Sequence, residues 1–106
     1  MEQNLAVTQL AALAQESRLA IFRLLVQQGP EGLAVGCIAE ALGLANATLS
    51  FHLKTLAQAG LVEARQNGRF IHYSANYTVM NGLVGFLTDN CCSGCSDISQ
   101  TPHSKG

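Results

Sequence analysis

The sequence predicts a mainly α-helical domain with a β-hairpin wing, a winged helix-turn-helix that is dimeric through its N- and C-terminal helices. Three observations carry this expectation. Two short segments with helical apolar spacing stand either side of Gly43, the layout of a helix-turn-helix unit. Asn67-Gly68 joins two extended runs directly after that unit, the strongest short hairpin signal there is. The first and last helices each carry an apolar stripe that a chain of 106 residues has little surface of its own to cover.

The first helix is predicted over residues 5–14, a run of strong helix formers in which Leu10, Leu13 and Ala14 share a face. A second opens at Glu16 or Ser17, buries Leu19, Phe22, Leu25 and Val26 on one side, and ends at Gly29-Pro30. Gly32 sits in a turn. In the third helix Val35, Ile38, Ala39 and Leu42 follow the i, i+3, i+4, i+7 rule. Gly43 stops it, and a fourth helix runs from Ala45 or Asn46 to about Ala59, with Gly60 as its stop. The wing strands are read over residues 61–66 and 69–74.

A last helix is predicted over residues 77–90, with Met80, Leu83, Val84 and Leu87 on one face. Pairing of the terminal helices with a second copy is the expected cover for these stripes; the alternative is that both close the monomer's own core. Beyond Cys95 the sequence has no periodicity, so one domain over residues 1–95 and a disordered tail over 96–106 are expected.

An apolar content of 48% is enough for one core without disulfides. No run is long enough to cross a bilayer, and the N-terminus lacks a basic start and a cleavage site, so a cytoplasmic protein without membrane partners is expected. The net charge of -1 argues against broad, charge-driven nucleic-acid binding. Its distribution matters more: Arg18, Arg23, Lys54, Arg65 and Arg69 lie in the middle, while Glu2, Asp89 and Asp97 lie outside it. No Ser-His-Asp set, paired carboxylates or phosphate-cradling glycine loop is visible, which argues against an enzyme.

In the fourth helix, stepping about 100° per residue from Leu49 puts Leu53 and Leu56 on the buried face. Ala47, Ser50, Phe51, Lys54, Thr55 and Gln58 then point outward, a face with hydroxyls, an amide, a base and no acid, suited to a polyanion. An exposed Phe51 would find a reason in thymine methyl groups of a major groove. His52 falls on the flank of the buried face and reads as a packed core histidine.

The stretch LAQESRLAIFRLLV, then IAEALGLANATLSFHLKTLAQAGLVEARQNGRFIHYS, resembles the ArsR/SmtB family of metal-sensing repressors over roughly residues 8–90. The resemblance implies a homodimeric winged-helix repressor that binds a double-stranded operator of dyad symmetry and leaves it when an inducer binds. It carries base and phosphate contacts onto Asn46, Thr48, Ser50, Phe51 and Lys54 of the reading helix, and wing contacts onto Arg65 and Arg69. Phe51 departs from the polar or basic residue that members often have there. A two-fold dimer sets its reading helices roughly 34 Å apart, so the operator should be an interrupted inverted repeat.

Cys91, Cys92 and Cys95 are too close in sequence to staple distant parts of a fold and read as a ligand or redox cluster in a reducing compartment. If the last helix continues through Cys95, Cys91 and Cys95 share a face, and slight unwinding at Ser93-Gly94 brings the three sulfurs together. Three thiolates without a fourth ligand match trivalent arsenic or antimony, whereas zinc takes four ligands. Cys37 and His103 are candidate fourth ligands, but neither is near in sequence. Cys92-Ser93-Gly94-Cys95 also has dithiol spacing, so a redox-sensing repressor, a zinc, cadmium or lead sensor, and a dithiol oxidoreductase stand as alternatives.

The resemblance narrows the metal site. Members with arsenic bound on the early helix have a Cys-x-Cys where this sequence has Ala34 and Gly36, and the displaced Cys37 reads as a small buried residue. Members with zinc on the last helix use Asp and His pairs, whereas residues 77–90 hold Asp89 and no histidine. Mixed sites draw thiolates from the N-terminal arm, and residues 1–36 contain neither Cys nor His. What remains resembles the family's arsenic sensors with a C-terminal cysteine pair and a third cysteine nearby. The implied inducer is As(III), with Sb(III) second, bound within each subunit and with no organic cofactor.

Overall fold

The computed structural model describes residues 1–92, and helix formers punctuated by glycines divide them into α1 (Gln3–Leu13), α2 (Glu16–Gln28), β1 (Leu33–Ala34), α3 (Val35–Leu42), α4 (Asn46–Gln58), β2 (Val62–Asn67), β3 (Phe70–Ala75) and α5 (Tyr77–Thr88). The Gln15 side chain caps α2 by accepting from the Arg18 backbone N–H at 2.9 Å, and Glu16 sits favourably in the first turn. α3 and α4 form the expected helix-turn-helix, with Gly43 in the left-handed conformation closing α3. Ile21, Leu25, Ile38, Leu49, Leu53, Leu56 and Leu61 are fully buried and join α2, α3, α4 and the foot of the wing into one core.

α1 does not bury the face expected of it. Ala6, Gln9 and Ala12 turn inward, while Leu10 stays exposed, Leu13 is half-buried and Ala14 lies beyond the helix. Alanines let the α1 backbone approach its neighbours closely, which leaves Leu10 exposed while Leu13 packs against the edge of the core. In α2, Leu19 is likewise exposed, and Ile21, outside the expected stripe, is fully buried together with Leu25.

The wing belongs to a three-stranded antiparallel sheet in the order β1-β3-β2. β1 was not expected; its two residues pair with β3 as Leu33↔Tyr73 and Ala34↔His72. Gly32, expected only in a turn, has φ +73°, and a Cβ there would meet the Tyr73 carbonyl oxygen at 2.4 Å. Only glycine admits that approach. Asn67 and Phe70 are paired, so the central residues of the hairpin are Gly68 and Arg69, one position later than the Asn67-Gly68 signal suggests. Gly68 takes φ +65°, as the first central residue of a primed turn does.

α5 ends at Thr88, short of the expected Asn90. Asn76 caps its start by accepting from the Val79 N–H at 3.1 Å, and Tyr77 anchors it through its hydroxyl to the Leu25 and Val26 carbonyls. At the other end Asp89 is extended, with ψ 134°, and Asn90 and Cys92 take positive φ. The helix therefore does not continue into the cysteines. Among the described residues no helix is long and apolar enough to cross a membrane.

Candidate functional site

α4 presents the predicted reading face. Leu49, Leu53 and Leu56 hold it to the core, and Asn46, Ala47, Thr48, Ser50, Phe51, Lys54 and Gln58 are exposed. Thr55 is half-buried, its hydroxyl donating to the Phe51 carbonyl at 3.2 Å. Phe51 is 63% exposed, an apolar ring standing in solvent on a face without acids. Ala45 makes no side-chain cap, so no capping group competes for the first N–H groups of α4, the positive end of the helix dipole.

His52 is buried, as expected, and its role is now visible. Its Nδ1 lies 3.4 Å from Arg18 Nη1, while Arg18 Nε donates to the Ala12 carbonyl at 2.7 Å. Arg18 thereby ties the end of α1 and the start of α2 to the reading helix. No local pattern in the sequence marks this link, since Arg18 and His52 stand 34 positions apart and Arg18 enters the sequence-based expectation only as a positive charge.

On the wing, Arg69 occupies the exposed apex, but Arg65 is engaged: its Nη2 donates to the Glu31 carbonyl at 3.0 Å. Arg65 thus steadies the foot of the wing against the α2–β1 turn, and its remaining N–H groups are those left for a phosphate.

Beyond α5, Cys91 and Cys92 are exposed free thiols with their Sγ atoms 3.2 Å apart. The hydrogen bond with Cys92 comes first, then the charge of Cys92, in holding the Cys91 thiol above its ordinary value of 9.0. Cys95, the expected third sulfur, lies outside the described residues, as do Ser93-Gly94, His103 and the expected tail over 96–106. Cys37 is exposed rather than buried, because Val35, Ile38, Ala39 and Leu42 define the inner side of α3 and residue 37 faces away from it. Among the described residues no group of three His, Cys, Asp or Glu side chains gathers to hold a metal ion.

Between α1, α2 and α5 runs an apolar groove of about 470 Å³ whose walls include Leu10, Leu13, Leu19, Met80, Val84 and Leu87. Val84 and Leu87 are 53% and 58% exposed.

A helix-turn-helix unit with an acid-free second helix and an arginine-tipped hairpin defines a winged-helix DNA-binding module. The helix-turn-helix domain family matches residues 13–65. The HTH-type transcriptional regulator YceK of Bacillus subtilis is 42% identical over 77 residues, covering 72% of this chain and 76% of that protein. The arsenical resistance operon repressor of Bacillus subtilis is 33% identical over 81 residues, 76% of this chain and 73% of that one. The homodimeric winged helix-turn-helix domain of Mb0332 from Mycobacterium bovis, a possible ArsR-family regulator, superimposes with a TM-score of 0.66 at 34% identity, over 84% of this chain and 82% of that one. The chain belongs to the ArsR/SmtB family of winged-helix transcriptional regulators.

Proposed function

We propose that this regulator is a homodimeric repressor whose grip on an operator is released when trivalent arsenic, or antimony, is captured by Cys91, Cys92 and Cys95. The observation that carries the reading is the pair of exposed sulfurs 3.2 Å apart just beyond α5. Two sulfurs already in contact, with a third cysteine three residues on, supply the donor set of a pyramidal three-sulfur acceptor with a lone pair, whereas zinc takes four ligands. The arsenical resistance repressor among the relatives supports the same choice.

The groove formed by α1, α2 and α5 supplies the dimer seat, because exposed Leu10, Leu19, Val84 and Leu87 gain from burial against a second copy. α5 then lies between the thiols and the joint, so drawing the sulfurs onto one centre re-aims the end of α5 and changes the separation of the two reading helices. A coupling of about 1–3 kcal/mol is enough to release a site held with modest excess affinity. The DNA contacts are Asn46, Thr48, Ser50, Phe51 and Lys54 in the major groove, with Arg65 and Arg69 on the wing, on an interrupted inverted repeat.

A second reading is favoured by the same sulfur contact: oxidation of two of these thiols to a disulfide would serve as a redox switch. Anisotropy of a labelled duplex bound to the reduced protein tests both. Arsenite and antimonite are expected to release it at stoichiometric amounts, while zinc and cadmium leave it bound. Release by diamide but not by arsenite would favour the redox switch.

A further inference from the structure

Phe70 follows the wing apex directly and is 60% exposed. Its pairing with Asn67 closes the hairpin, so its backbone is held within the ladder and the ring has a defined side of the sheet. Cross-strand partners share a face, which puts Phe70 and Asn67 on the same side as the Arg65–His72 pair. The Arg65 guanidinium is drawn back to the Glu31 carbonyl, leaving Arg69 and Phe70 to furnish the tip. From Ala64 to Thr88 the sequence has no acid, so the wing beyond its foot is a ribbon of basic, apolar and neutral polar side chains with no negative charge.

One exposed phenylalanine is ordinary on a protein surface. An apolar ring beside an apical arginine on an acid-free ribbon is matched to a particular surface. The minor groove of duplex DNA is about 6 Å wide, negative at its floor, and walled by the C–H faces of deoxyribose. A two-residue apex admits one guanidinium to the groove and brings the next side chain against the sugar wall.

We propose that Phe70 is a DNA-contact residue, packing on the deoxyribose wall of the minor groove that flanks each half-site while Arg69 enters it. This rests on the regulator reading above, and it adds a contact to DNA outside the bases read by α4. The occupant is duplex DNA because the ring continues the cationic wing surface; a protein partner would find Arg69 at the centre of the patch.

The test uses the full chain and a duplex selected by the wild-type protein from a randomised pool. Phe70→Ala, and Phe70→Thr as a strand-favouring variant should alanine weaken the hairpin, are expected to bind about five- to twenty-fold more weakly. The slope of log affinity against log salt stays at the wild-type value, since no phosphate contact is lost, whereas Arg69→Ala lowers it by about one. Phe70→Leu recovers most of the loss. Trimming the duplex to the bases read by α4 removes the difference between wild type and variants. Wild-type affinity in both ring-less variants, a deficit that persists on the trimmed duplex, or a loss of self-association in place of DNA affinity would overturn the assignment. Failure of the wild type to select any duplex would instead remove the regulator reading beneath it.

Discussion

Arg18 Nη1 lies 3.4 Å from Nδ1 of His52, so the reading helix is tethered by a buried imidazole to the corner between α1 and α2. The same guanidinium fills the Ala12 carbonyl at 2.7 Å, and removing it leaves both acceptors without their donor. Arg18→Ala is expected to destabilise the fold by about 1–3 kcal/mol, read from urea denaturation with an unchanged m-value. His52→Gln, which keeps a polar partner, should cost less than His52→Ala.

Two glycines should respond in opposite directions to alanine. Gly32→Ala drives a Cβ into the Tyr73 carbonyl at 2.4 Å while holding φ +73°, and is expected to cost at least ~2 kcal/mol. Gly36 sits in α3 with open space around its Cβ position, so Gly36→Ala should stabilise by about 0.5 kcal/mol. Thermal melts of the two variants check both signs.

The groove between α1, α2 and α5 makes a prediction about assembly. Leu87→Glu and Val84→Glu place a charge on exposed apolar wall positions, leaving the monomer core untouched and obstructing a second copy. Sedimentation should give dimers for the wild type and monomers for the variants, with melting far less affected than association. Variants that still sediment as dimers would mean that the groove is not the seat of the second copy.

These cases also mark what the sequence could disclose. Helix periodicity placed Leu49, Leu53 and Leu56 inward and Phe51 outward on α4, because a buried stripe on an amphipathic helix is a local pattern. The pairing of Leu33 with Tyr73 and the Arg18–His52 contact join residues far apart in the chain, and no local spacing announces them; nor does a polar type announce the burial of Gln9. The end of α5 escaped for a different reason: Asn90 and Cys92 adopt positive φ, which a run of helix-compatible residues does not reveal. The hairpin shifted by one residue because glycine can serve at either central position of a primed turn.

Thiol reactivity follows from the Cys91–Cys92 contact. Cys92 holds the Cys91 thiol above its ordinary 9.0, first by its hydrogen bond and then by its charge, so less Cys91 is thiolate at neutral pH than in a lone thiol. Cys92→Ala should lower that value and speed alkylation of Cys91 by iodoacetamide at neutral pH. In the wild type the rate should climb further as pH rises past 9.0. Peptide mass spectrometry on briefly treated protein follows the residue directly.

The central claim, that sulfurs beyond α5 govern DNA binding without taking part in it, is tested most directly by comparing wild type with Cys91→Ser/Cys92→Ser on one selected duplex, with and without arsenite. The account predicts equal affinity in the absence of arsenite, release of the wild type at one equivalent per subunit, and a variant that stays bound. A variant released as readily as the wild type, or one that cannot bind the duplex at all, would contradict it.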